Sequence, residues 1–153
     1  MNMDITAHEA YVVMEGVHHA MPKTGERHQA RWVRDKLLIA WALHHPERIA
    51  EFFRATWKAD NTGHIRRQPD GYWTYQNPAL SSEAAARNKY RLAQPVTDVL
   101  PVYVEHARPL LLKPEDDTLL GMPSNHIQVR LGNILKTHLG REVSYSELRE
   151  LRL

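Results

Sequence analysis

Arginine supplies most of the positive charge of this 153-residue chain. Fourteen of the twenty Lys and Arg residues are arginine, and residues 27–91 hold 12 Lys and Arg against 6 Asp and Glu. A guanidinium group can donate two parallel hydrogen bonds to one phosphate, which makes arginine well suited to bind phosphodiesters. The basic middle of the chain therefore favours a polyanionic partner. A solvated surface that simply prefers Arg to Lys is the alternative.

Two of these arginines, Arg48 and Arg149, lie close to predicted helix starts. Pro46 suits the first turn of one helix, and Ser144 and Glu147 have the spacing of a capping box at the other. Preorganised guanidinium groups can stabilise the negative charge that develops on a phosphate under attack. The alternatives are an exposed ion pair at Arg48 and a solvated helix face around Arg149.

The chain has no cysteine and ten histidines. The lack of cysteine excludes disulfides, thiolate metal sites, iron–sulfur clusters and a cysteine nucleophile. The adjacent pairs His18-His19 and His44-His45 do not share one helix face. Glu15 and His19, at i and i+4, are the remaining candidate metal ligands. We expect neither a metal nor a cofactor.

Composition and length are typical of one globular domain over residues 1–153. Apolar residues make up 42% of the chain, and no stretch approaches 18 consecutive apolar residues, so no membrane-spanning helix is expected. No basic segment followed by an apolar run marks a secretory signal at the N-terminus. These features, with the lack of cysteine, predict a cytoplasmic protein.

Apolar residues recur at helical spacing along most of the chain. Trp41 and Trp57 both fall on such apolar faces, so we expect them in the core and not stacked on bases. The last predicted helix carries Leu148, Leu151 and Leu153, which have little chain left to pack against. That pattern suggests a fragment or a shortened relative of a longer protein. The predicted helices cover residues 6–19, 29–43, 46–57, 97–111, 124–139 and 144–153.

A β-hairpin is predicted between the third and fourth helices. Residues 64–67 and 72–75 flank Gln68-Pro69-Asp70-Gly71, and Pro-Asp-Gly is a strong turn signal. Residues 88–94 are predicted to add a third strand. The expected fold is therefore α+β and mostly helical, a single domain with a small antiparallel three-stranded sheet.

Three segments, in this order, resemble the catalytic domain of the tyrosine recombinases, the phage-integrase family. Pro-Glu-Arg-Ile-Ala-Glu-Phe at residues 46–52 resembles the first arginine motif of that family. Residues 103–112 resemble a segment that follows the sheet. Val-Ser-Tyr-Ser-Glu-Leu-Arg at residues 143–149 resembles the second box, typically Ile-Ser-Pro-His-x-Leu-Arg. The resemblance covers about residues 5–153 and depends on the order and spacing of the three segments.

The resemblance implies catalytic roles for particular residues. Arg48 and Arg149 correspond to the two arginines that hold the phosphate, and Lys89 is the nearest substitute for the strand lysine that acts as general acid. Ser146 replaces the second-box histidine. The nucleophilic tyrosine of the family lies beyond the second arginine, whereas no tyrosine follows Tyr145 here. We therefore expect this chain to bind DNA without cleaving it.

The implied partner is double-stranded DNA, with intact relatives acting in DNA integration and recombination on mobile elements. The resemblance also allows several copies to assemble on DNA. The alternative is a small helical protein-interaction module of cytoplasm or phage, with Leu148, Leu151 and Leu153 as its partner surface. The expected DNA contacts are Arg66, Arg67, Arg87, Lys89 and Arg91.

Overall fold

The structure is a computed structural model that describes residues 5–77, 89–151 and 153. It is mostly helical, with one small antiparallel sheet, as expected. Within the described residues no helix is long and apolar enough to cross a membrane. The helical elements are α1 (Ala7–His19), α2 (Glu26–His44), a 3₁₀ turn (Pro46–Arg48), α3 (Ile49–Phe53), α4 (Gln94–Val102), a π-helical segment (Tyr103–Ala107), α5 (Arg108–Leu111), α6 (Ser124–Leu139) and α7 (Tyr145–Arg149).

Helix α2 is the centre of the core. It contacts α1, α4, the π-helical segment and α5. Every residue from 37 to 43 is buried, because a helix that is apolar on all sides is stable only when neighbours cover all of it. The indole of Trp41 stacks on the ring of Phe52, with ring centroids 4.3 Å apart. The predicted core position of Trp41 is confirmed.

The sheet consists of β1 (Ile65–Arg67), β2 (Trp73–Tyr75) and β3 (Tyr90–Arg91), in that spatial order. Ile65 pairs with Tyr75 and Tyr75 with Tyr90, all antiparallel. Gly71, with φ of 92°, makes the turn of the predicted hairpin. The hairpin prediction is confirmed. The third strand is shorter than the predicted 88–94, of which residue 88 lies outside the described residues.

The helix that follows Pro46 ends at Phe53, so the prediction of a helical face reaching Trp57 was wrong. Thr56 forms an antiparallel bridge with Thr118, and Trp57 forms a parallel bridge with Ile65. The Trp57 N–H donates to the Asp117 carbonyl at 2.9 Å. These backbone partners lie far along the chain, so local periodicity could not reveal them.

The helix predicted at 97–111 begins earlier, at Gln94. Pro95 therefore takes the first turn, and Pro101 lies inside the helix instead of at its start. Proline interrupts the i→i−4 hydrogen-bond ladder, and here the π-helical segment Tyr103–Ala107 follows it directly. The helical path nevertheless continues to Leu111.

Helix α7 folds back onto the 3₁₀ turn Pro46–Arg48. Leu148 and Leu151 are buried, with 1% and 5% of their surface exposed, whereas Leu153 is 57% exposed. The expectation that all three leucines are exposed was wrong for the first two, because the turn and the core provide the surface they need. Leu148 and Leu151 therefore cannot serve as a partner surface.

Candidate nucleic-acid interface

A groove of about 630 Å³ runs along the hairpin towards the π-helical segment. We call it the hairpin groove. Four cationic residues line it, Lys58, Arg66, Arg67 and Lys89, with Glu105 as the one carboxylate among its described lining residues. The cations come from the loop before β1, from β1 and from the residue before β3. The full described lining is Trp57, Lys58, Ala59, Asn61, Arg66, Arg67, Gln68, Pro69, Trp73, Gln76, Lys89, Val104 and Glu105.

The loop before β1 holds the two arginines in different ways. The Asn61 amide accepts from the Arg67 N–H at 2.8 Å and donates to the Arg67 carbonyl at 2.9 Å, while the Arg67 side chain stays exposed. The Arg66 guanidinium donates to the Gly63 carbonyl at 2.8 Å and to the Thr62 carbonyl at 3.2 Å. Asn61 adopts a φ of 65°, a conformation that asparagine tolerates better than most residues.

Lys58 and Trp57 are among the groove residues that the sequence did not identify. Lys58 lies 3.9 Å from a carboxylate oxygen of Asp117, an exposed pair of little strength. Trp57 is half-buried at the groove wall, and the guanidinium of Arg108 lies 5.0 Å from its ring centroid. A local sequence pattern could not reveal this position, because it depends on the pairing of Trp57 with Ile65.

Arg48 lies outside the groove and contacts Glu51 and Tyr90 among the residues that the structure describes. One guanidinium nitrogen is 3.6 Å from Oε2 of Glu51, and the guanidinium carbon is 4.1 Å from the ring centroid of Tyr90. The Tyr90 hydroxyl also donates to Oε2 of Glu51, at 3.3 Å. Burial and the charge of Glu51 raise the pKa of Tyr90 far above its usual value. The ion pair considered as an alternative role for Arg48 is thus present.

Tyr90 belongs to an aromatic stack that runs across the sheet to His64. The Tyr90 and Tyr75 ring centroids are 5.3 Å apart, and those of Tyr75 and His64 are 5.5 Å apart. His64 Nδ1 accepts from the Thr56 N–H at 2.9 Å, and His45 Nε2 accepts from the Ala93 N–H at 3.0 Å. Burial lowers the pKa of both histidines, which favours the neutral form that these contacts require.

Arg149 is close to the Arg48 segment in the fold, but its side chain lines another surface. Helix α7 contacts the 3₁₀ turn that carries Arg48. Arg149 borders a cavity of about 250 Å³ together with Arg54 and Gln128, and Arg48 does not line that cavity. Ser146 is exposed on α7. The structure therefore brings the two arginine-bearing elements together without directing both guanidinium groups into one cavity.

The expected DNA contacts fall into three groups. Arg66, Arg67 and Lys89 line the hairpin groove. Arg91 on β3 does not line it, and its guanidinium lies 4.2 Å from the ring centroid of Tyr72. Arg87 lies outside the described residues, as does most of the segment between β2 and β3.

The candidate metal ligands Glu15 and His19 contact each other, with 3.1 Å between Oε2 and Nε2. In the part of the chain that the structure describes, no three His, Cys, Asp or Glu residues cluster in a way that could hold a metal ion.

No known protein family, curated protein or solved structure matches this chain. The function of the chain is therefore inferred from the geometry of the hairpin groove.

Proposed function

We propose that the protein binds duplex DNA through the hairpin groove, as the DNA-binding part of a tyrosine-recombinase-like domain. The observation that carries the proposal is the convergence of Lys58, Arg66, Arg67 and Lys89 on one groove, with a single carboxylate among its described lining residues. Like charges in a shared groove repel one another, and a polyanion relieves that repulsion. Neutralising DNA phosphates also releases condensed counterions, which drives the association.

The groove offers more than charge. The fixed guanidinium of Arg66 and the exposed side chain of Arg67 suit phosphate oxygens, which position a protein on DNA without reading its sequence. The amide side chains of Gln68 and Gln76 border the same groove and can bond to either donors or acceptors. We expect the affinity for DNA to depend strongly on salt concentration and only weakly on base sequence.

The order of elements supports a recombinase-like origin. A long helix precedes the arginine-bearing turn, the three-stranded sheet follows, and the capped helix α7 with Arg149 comes after further helices. We assign no covalent step to these 153 residues, because Ser146 replaces the histidine and no tyrosine follows Tyr145. We also propose that the protein is cytoplasmic and that several copies assemble on DNA, as the sequence led us to expect.

The test is duplex binding measured by fluorescence anisotropy across a salt series. Each phosphate contact contributes about −0.9 to the log–log salt slope, so Arg67→Ala/Lys89→Ala should make the slope shallower by about 1.8. Lys113→Ala/Lys136→Ala removes the same charge from exposed positions elsewhere and is the matched control. Absence of wild-type binding at low salt, or equal weakening by both double variants, would contradict the proposal.

A further inference from the structure

We infer that the hairpin groove holds an unstacked nucleotide base against Trp57. The preferred ligand is then a DNA duplex with an unpaired nucleotide, such as a bulge or a gap. The inference rests on the proposed function and adds to it the class of DNA that is bound. It depends on how Trp57 is held, on an unsatisfied donor in the same wall, and on the size of the groove.

Trp57 is a rigid platform. Its backbone N–H donates to the Asp117 carbonyl at 2.9 Å, and its backbone also forms a parallel bridge with Ile65. Arg108, only 7% exposed, lies with its guanidinium 5.0 Å from the ring centroid and donates hydrogen bonds to the carbonyls of Asp116 and Thr118. Because these bonds hold the backbone of Trp57 and Arg108 lies beside its ring, stacking a base on the ring costs little conformational entropy.

Trp57 also differs from the tryptophan of the core. Trp41 is completely buried at the centre of α2, whereas Trp57 is half-buried and borders the groove. An aromatic ring beside cationic side chains is the usual composition of sites that bind unpaired nucleotides. Lys58, Arg67 and Lys89 would then contact the phosphates on either side of the base.

Trp73 provides the second observation. Trp73 lies in the wall of the groove with only 3% of its surface exposed. Its Nε1–H has no hydrogen-bond partner among the described residues. Buried donors are nearly always satisfied in folded proteins. The carbonyl and ring-nitrogen atoms of an unpaired base are acceptors of the kind that this donor lacks.

The size of the groove agrees with this ligand. Its volume of about 630 Å³ is in the range of small-molecule sites and exceeds what one base needs. In an intact duplex both faces of each base are covered by stacking, so only an extruded or unpaired base can lie on Trp57. The free energy needed to extrude a paired base is at least as large as the free energy gained by stacking it on one tryptophan. An unpaired base needs no extrusion and so avoids that cost.

The experiment compares an intact duplex, the same duplex with one bulged nucleotide and the corresponding single strand, each at the same salt concentration. Wild type should bind the bulged duplex about tenfold more tightly than the intact one. Trp57→Leu should reduce this preference to less than about twofold, because the bulged duplex loses more affinity than the intact duplex does. Trp57→Phe keeps an aromatic ring and should retain part of the preference.

Controls separate this inference from the proposed function. Trp32→Phe changes a tryptophan that lines other surfaces and not the hairpin groove, so it should behave as wild type. Melting curves of each variant establish that it is folded. Equal affinity for intact and bulged duplexes, or equal weakening of both by Trp57→Leu, would overturn the inference alone. Binding to neither duplex would overturn the proposed function as well.

Discussion

Arg48 lies between the carboxylate of Glu51 and the ring of Tyr90. This arrangement orients the guanidinium, yet it also neutralises part of its charge. A DNA phosphate that reached Arg48 would compete with Glu51 for the same donors. The phosphate contact that the family resemblance implies for Arg48 can therefore be tested through its carboxylate partner.

Glu51→Gln is expected to increase affinity for duplex DNA about twofold to fivefold at low salt, since an exposed ion pair is worth only about 0.2–1 kcal/mol. The glutamine carbonyl can still accept from the Tyr90 hydroxyl, so the local structure is preserved. Anisotropy titrations measure the change. The matched control is Glu142→Gln, which removes a carboxylate 3.8 Å from Lys136 on α6. The same increase in both variants would mean that only net charge matters and that Arg48 does not contact DNA.

The neutral histidines His45 and His64 predict how stability depends on pH. Burial lowers both pKa values below the ordinary 6.5, so the unfolded chain binds protons that the folded chain does not. The free energy of unfolding should therefore be highest above pH 6.5 and fall as the pH decreases below it, by up to about 1.4 kcal/mol per pH unit for each histidine. Urea unfolding at pH 7.5, 6.5 and 5.5 measures this decline.

The histidine variants attribute that decline to particular side chains. His45→Gln/His64→Gln should make it shallower, whatever the variant does to stability at pH 7.5. His8→Gln changes an exposed histidine on α1 and should leave the wild-type slope in place. An unchanged slope in the double variant would show that other groups control the pH dependence.

At the scale of the element, α7 shows how a short helix is stabilised. The Ser144 hydroxyl accepts from the Glu147 N–H at 3.2 Å, and the Glu147 carboxylate accepts from the Ser144 N–H at 3.3 Å. A five-residue helix cannot persist on such caps alone. Burial of Leu148 against the rest of the chain supplies the remaining stability.

Leu148→Ala should therefore destabilise the protein by about 2–5 kcal/mol, the usual cost of a cavity at a buried leucine. Leu153→Ala is the control on the same terminal segment and should change stability by less than about 0.5 kcal/mol, because that side chain is exposed. Chemical denaturation measures both values. Similar small effects for the two variants would mean that α7 does not pack as described.

At the scale of the whole molecule, Arg141 joins the two ends of the described chain. Its guanidinium contacts Oε2 of Glu147 at 2.9 Å and Oε1 of Glu9 at 3.3 Å. Both glutamates are the third residue of a capped helix, α7 and α1. The hydrogen bond from Arg141 holds the pKa of Glu147 below its ordinary value of 4.5. One side chain thus stabilises the starts of two helices more than 130 residues apart.

Arg141→Ala should lower the free energy of unfolding at pH 7 by about 1–3 kcal/mol, since it leaves the nearly buried Glu147 without its charged partner. Because the Glu147 pKa is depressed, this contribution is present above pH 4.5 and is lost as the pH falls below it. The difference between variant and wild type should accordingly shrink near pH 3. A constant difference at both pH values would argue against the ion pair, and Lys136→Ala provides an exposed-pair control.

Several features followed from the sequence because they depend on neighbours a few residues apart. The capping box predicted at Ser144 involves positions three residues apart and is present, and α1 begins with the same arrangement at Thr6. The turn around Gly71 places Arg66 and Arg67 on β1, next to β2. Because Arg66 and Arg67 are neighbours on this strand, their closeness in space could be anticipated from the same pattern, whereas the face to which each side chain points could not.

Other features were decided by contacts between distant segments. Trp57 borders the groove because Asp117 and Ile65 bind its backbone. Leu148 is buried because α7 reaches the turn that carries Arg48. The sequence by itself determined the helix caps, the hairpin and the overall α+β class, since hydrogen-bond spacing and turn chemistry are local. Only the tertiary structure decided which apolar and charged side chains are covered, because burial depends on partners that the chain supplies from far away.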